Sequence, residues 1–137
     1  MSGVKPFHVK DEFYYRGTFV ASGVSPLLRI PELPADPKVF PGPLADAKDQ
    51  VVMWAYDRPR VGGSKEAGRS IGATFGHYYA NWQNDDYRKL ILNAIAWTAH
   101  LKLPKEGIAS TWVEDAEIDR VLGATPAPVP SPLEPKK

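Results

Sequence analysis

Cysteine is absent from the 137 residues. Disulfides, thiolate nucleophiles and cysteine-ligated metals are therefore excluded within this chain. Long apolar runs are missing too. Nothing approaches the roughly 18 consecutive apolar residues of a membrane span, and Met1 is not followed by a signal-peptide core. As written, the sequence predicts a soluble cytoplasmic protein, and an export signal would have to lie upstream of Met1. Charge of one sign is also scarce, with 17 Lys and Arg against 16 Asp and Glu. No basic stripe stands out, which argues against nucleic acid or an anionic membrane as a partner.

Proline, by contrast, is plentiful. Of 14 prolines, six fall between Pro26 and Pro43 and five between Pro126 and Pro135. The closing A-T-P-A-P-V-P-S-P-L-E-P-K-K cannot hold a packed core, so residues 124–137 are expected to form an extended, disordered tail. Pro31 to Asp49 is expected to be a long connection.

The stretch from Gly68 to His100 organises the rest. Ser70 to Phe75 reads as a strand, its small residues Gly72 and Ala73 suiting close neighbours on both faces. A polar, aromatic loop follows. Then Tyr87, Leu90, Ile91, Ala94, Ile95 and Thr98 fall on one stripe of a helix of period 3.6. Asn84 is placed to cap it, Asp85 and Asp86 favour its positive end, His100 and Lys102 its negative end, and Pro104 is expected to stop it. A strand that delivers a loop into a helix is, in open α/β sheets, where ligands bind, and His77 stands there.

Other elements are weaker. Phe7 to Arg16 is aromatic and β-branched enough for a strand, with Asp11 marking either a bulge or the strand's end. Thr18 to Ala21 is a short run between turns. Ser25 to Ile30 reads as a strand with Pro26 at its start or on an edge. Gln50 to Tyr56 is the most convincing buried strand, and it should pair antiparallel with the Ser70 strand through a long hairpin loop. Thr111 and Glu114 form a capping box for a short helix that Gly123 stops. One strong helix covers one face of a sheet only, so the chain is expected to be part of a larger α/β domain or to associate with itself.

The segments D-E-F-Y-Y (Asp11 to Tyr15), M-W-A-Y-D-R-P (Met53 to Pro59), G-R-S-I-G (Gly68 to Gly72), G-H-Y-Y-A-N-W (Gly76 to Trp82) and D-Y-R-K-L-I-L-N-A-I-A-W (Asp86 to Trp97) arrive in one order. Together, from about Val4 to Ile108, they resemble the ThuA-like family, named for trehalose utilisation. The resemblance implies an α/β fold of the class I glutamine amidotransferase-like (flavodoxin-like), three-layer kind, present here in its C-terminal half. About four to five strands and one main helix are expected. Residues 1–109 would be that half-domain, 110–123 a short capping helix and 124–137 the tail. S-G-V-K-P-F resembles a mid-domain segment, so Met1 is expected to be an internal methionine of a truncated form. The resemblance further implies a role in carbohydrate metabolism, acting on or binding a disaccharide or keto-sugar. Glutaminase chemistry does not carry over, because the nucleophilic cysteine of glutamine amidotransferases belongs to the absent half.

His77 is the first candidate catalytic residue, as general base or metal ligand, against the plainer role of a loop histidine bonded to a carbonyl. Asp11 and Glu12 come next, since a carboxylate near His77 would orient its ring or share a metal; the plain alternative is a solvated strand end. Tyr14, Tyr15, Tyr78, Tyr79 and Trp82 are candidate stacking walls for a sugar, or else core, and Asn81 a candidate partner for sugar hydroxyls. Relatives often carry a second histidine where this chain has Tyr79, so metal and cofactor stay unassigned. Arg58 and Arg69 flank the hairpin loop, where surface ion pairing is expected before anion binding. A non-catalytic carbohydrate-binding or protein-interaction module is the alternative to an enzyme.

Overall fold

Three strands and two α-helices make up the regular structure in a computed structural model that describes residues 2–14, 17–19, 22–32, 48–63 and 65–122. Among these residues the protein is a small α/β structure with a three-stranded antiparallel sheet. The tail at 124–137, Gly123, and most of the proline-rich connection lie outside the described residues, as do Tyr15, Val20 and Ala21. No described helix is long and apolar enough to cross a membrane. The chain divides into two compact units: Glu12–Phe75 holds the sheet, and residues up to Asp11 together with those from Gly76 onward hold the helices.

In the sheet unit the order is β1 (Val24–Glu32), β2 (Lys48–Asp57), β3 (Arg69–Ala73). The expected hairpin forms: β2 and β3 pair antiparallel from Met53↔Ala73 to Asp57↔Arg69. Asp57 and Arg69 meet as an ion pair at 3.7 Å where the hairpin loop departs. Among the described residues β1 is an edge strand, which is where Pro26 and Pro31 are tolerated because an edge N–H need not bond. Its register on β2 slips between Pro26 and Leu28 and again between Leu28 and Arg29, bulges that skip Leu27 on one strand and Val52 on the other. Val52, Met53 and Ala55 are buried. On the opposite face Trp54 pairs with Gly72, and its indole takes the space a side chain there would need. A Cβ on Gly72 would stand 2.3 Å from Trp54 Cζ2 and 2.4 Å from Cε2.

Three expectations change here. The described sheet is wholly antiparallel, so the rule that places ligands at the carboxyl ends of parallel strands loses its premise for it. The count is three strands among the described residues, not four to five. The missing one is Phe7 to Arg16, whose described residues form no strand. Asp11 turns its carboxylate onto the Gly76–His77 backbone, and the chain leaves one unit for the other at the next residue. The Ser70 strand also begins one residue earlier and ends at Ala73, although Thr74 N–H still bonds Val52 O at 2.9 Å.

In the helix unit a 3-10 helix (Tyr79–Gln83) leads into α1 (Asp85–Thr98). Asn84 caps α1 as its sequence predicts, its Oδ1 accepting from the N–H groups of Asp86 at 3.0 Å and Tyr87 at 3.1 Å. Tyr87, Leu90 and Ala94 of the predicted stripe are buried, but Ile95 is 58 % exposed, and Asn93 and Arg88 are buried instead. Polar anchoring explains the difference. Asn93 Nδ2 donates to Ser2 O at 2.8 Å and its Oδ1 accepts from Ile108 N–H at 2.9 Å, which draws the N-terminal segment and the following connector onto that side of the helix. There the backbones pass so closely that a Cβ on Gly3 would stand 1.9 Å from Glu106 O.

Pro104 does not end α1. Leu101 N–H bonds Ala96 O at 2.9 Å and His100 N–H bonds Trp97 O at 3.1 Å, with His100 left-handed at φ 59, so a Schellman turn closes the helix six residues before the proline. α2 (Asp115–Leu122) likewise departs from the Thr111 capping box: it starts after Glu114, whose carbonyl accepts from the N–H groups of Glu117 and Ile118.

Candidate functional site

Two places gather the side chains that could recognise a ligand, one in each unit. The first is the turn between β3 and the 3-10 helix. Gly76 adopts φ 114, a conformation costly for any side-chain-bearing residue, and this aims two successive N–H groups at one point. Asp11 fills that point. Its Oδ2 accepts from Gly76 N–H at 2.9 Å and its Oδ1 from His77 N–H at 3.0 Å. Buried Asn81 adds its amide, donating to Asp11 Oδ2 and to Lys10 O, each at 2.9 Å. Asp11 thus gathers three N–H donors at the foot of His77. The His77 side chain is exposed and its ring meets Tyr78 edge-on, centroids 4.9 Å apart.

Below this turn lies Tyr87, 1 % exposed. Burial and, secondarily, the negative charge of Asp11 push its phenol up to about 12. Trp82 and Phe7 both meet the Tyr87 ring edge-on, at 5.4 Å and 6.2 Å. Trp82 is half-buried, with this contact on its inner side. Tyr79, 40 % exposed, packs on Trp112 at 5.4 Å. The Arg88 guanidinium lies 5.8 Å from the Trp112 ring centroid. Arg88 is itself buried, bonded to Trp82 O, Ser110 Oγ and the Asp85 carboxylate.

The second place is a hollow of about 410 Å³ in the sheet unit. Its aromatic lining is Tyr14, Phe19, Trp54 and Tyr56; its aliphatic hydroxyls come from Thr18, Ser70 and Thr74, beside the phenols of the two tyrosines; Gly17, Val24 and Val51 complete it. The sheet explains the arrangement. Trp54 and Tyr56 are two apart on β2 and share a face, and their partners on β3 are Gly72 and Ser70. Phe19 meets Trp54 at 4.9 Å with planes 70° apart. Tyr14, 77 % exposed, is tied to the end of the sheet by its N–H, which bonds Thr74 O at 3.2 Å.

The sequence-predicted residues therefore divide. Asp11, His77, Tyr78, Tyr79, Asn81 and Trp82 belong to the helix unit, with Asp11, His77 and Asn81 joined at one turn. Glu12 and Tyr14 belong to the sheet unit, and Tyr15 lies outside the described residues. Among the described residues no three His, Asp or Glu side chains gather as a metal site. Sequence reasoning missed Trp54, Tyr56, Ser70 and Thr74, having treated β2 as buried throughout. The signal was available: a hairpin through Met53–Ala73 pairing puts Trp54 opposite a glycine on a face that small side chains leave open.

No family model, curated protein or solved structure matches the chain.

Proposed function

We propose that the protein is a carbohydrate-metabolism protein of the ThuA-like type, and that it binds a sugar in the hollow of its sheet unit. The same proposal takes the chain as the C-terminal half of a class I glutamine amidotransferase-like, three-layer fold, supported by the ordered motifs and by the run from β3 through the turn into α1. The lining of the hollow carries the binding role: four aromatic rings, two of them phenols, beside three aliphatic hydroxyls. Pyranose rings offer apolar C–H faces for rings and hydroxyls at their edges, and pockets of this size typically combine an apolar wall with a few polar groups.

One observation favours a catalytic role instead: Asp11 and His77 share a turn, with the imidazole exposed. Calorimetric titration with trehalose and maltose separates the two. Binding in the hollow predicts that Tyr14→Ala, a change at an exposed side chain, weakens affinity at least tenfold and that His77→Ala leaves it within twofold. Turnover abolished by His77→Ala would establish the catalytic role, and no affinity for either sugar in folded protein would remove both.

A further inference from the structure

The lining of the hollow also sorts ligands by charge. Thr18, Ser70 and Thr74 hydroxyls both donate and accept, so they match sugar hydroxyls presented in either sense. Among the described residues no Asp, Glu, Lys or Arg lines it. Against the described lining a sugar phosphate or sugar acid would shed its water without meeting a counter-charge, whereas a neutral sugar surrenders hydroxyl hydration that the described lining restores. Trp54 is the largest ring there, and its position depends on Gly72. A Cβ on Gly72 would fall 2.3 Å from Cζ2, 2.4 Å from Cε2 and 2.8 Å from Nε1 of the indole, too close to coexist with it. The indole is seated against bare backbone on one side and held by Phe19 at 4.9 Å.

We infer that the ligand is an uncharged sugar stacked on Trp54, and that Gly72 is the positioning residue that seats the indole. This rests on the proposed sugar binding in the hollow. Any side chain at Gly72 displaces the ring from the wall of the hollow that it forms.

The test follows the indole N–H resonances of the four tryptophans by two-dimensional NMR of the full chain. Maltose, trehalose, glucose 6-phosphate and glucuronic acid are the titrants. Neutral sugars should move the Trp54 resonance and bind at least tenfold more tightly than the two anions. Gly72→Ala should weaken maltose at least tenfold. In a Trp54→Phe background, where a smaller ring leaves room for the methyl, adding Gly72→Ala should change affinity less than twofold. Anionic sugars binding as tightly as neutral ones, or Gly72→Ala binding like the parent, overturns the inference while sugar binding stands. Silence from every sugar in folded protein removes the binding role and the inference together. Should Gly72→Ala fail to fold, charge selectivity and the Trp54 shift in the parent decide alone.

Discussion

At the scale of single residues, His100 and Tyr87 show how much a local environment departs from what a letter suggests. His100 reads as a cation placed at the negative end of a helix. In the structure its backbone occupies the left-handed C′ position of a Schellman turn at φ 59. A residue with a Cβ costs roughly 1 kcal/mol more than glycine in that conformation. With the side chain removed in both, His100→Gly should therefore be more stable than His100→Ala by about 1 kcal/mol, read as a higher denaturant midpoint with unchanged slope. Tyr87 sets a pH dependence. Its phenol rises from 10 to about 12 because burial and Asp11 disfavour the phenolate. The folded state thus favours the protonated form, so the contribution is complete below pH 10 and disappears as pH rises through 12. Between pH 9 and 12 the stability of the parent should fall more steeply than that of Tyr87→Phe, measured by urea unfolding at each pH.

At the scale of elements, α1 and β2–β3 were legible because each has a strong period and clear punctuation. Asn84 and the two aspartates fixed the start of α1, and the glycine-rich loop fixed the hairpin. What escaped were the places where polar side chains override apolar periodicity. Arg88 is a case in point: a charged letter one step off the stripe, yet 6 % exposed. Its guanidinium bonds Trp82 O and Ser110 Oγ, so it ties the 3-10 helix and the connector to α1. Nothing in a 3.6 period announces that, since both acceptors are distant in sequence or on the backbone. The same holds for Asp11, whose carboxylate ended a predicted strand by serving N–H groups 65 and 66 residues away. Magnitudes separate the partners of Arg88. Arg88→Ala leaves acceptors unsatisfied in a part-buried setting and should cost about 2–3 kcal/mol. Asp85→Asn, at a side chain 80 % exposed, should cost well under 1 kcal/mol despite breaking the ion pair. Comparable losses in the two variants, by thermal or urea unfolding, would place the energy in the ion pair rather than in the backbone bonds.

At the scale of the whole molecule, the unit that holds α1 is discontinuous in sequence: residues up to Asp11 join those from Gly76 onward. The seam is polar and long-range. Ser2 O accepts from Asn93, Gly3 O from Lys89 at 3.3 Å, Lys5 N–H donates to Asp86 at 2.9 Å, and Lys10 O accepts from Asn81. Phe7 adds an edge-on contact to the Tyr87 ring. These bonds span 71 to 91 residues of chain, so they form only after the intervening segment has folded or been looped out, at an entropic cost that grows slowly with loop length. Residues 2–10 should then be the late-forming strap of their unit. Its removal exposes Asn93, which is 1 % accessible and would lose the acceptor for its amide, together with one face of the Tyr87 ring. Deleting residues 2–10 should cost at least 3 kcal/mol, the sum of about 1 kcal/mol for each of several lost hydrogen bonds before the ring contact is counted. Far-UV circular dichroism should show α1 melting at lower temperature and with less cooperativity. Asn93→Ala in the intact chain should reproduce part of that loss, because it releases the strap at its first bond while leaving Asp11 seated on Gly76 and His77. An unchanged melt in the deletion would mean that α1 is held by its own caps and apolar face alone.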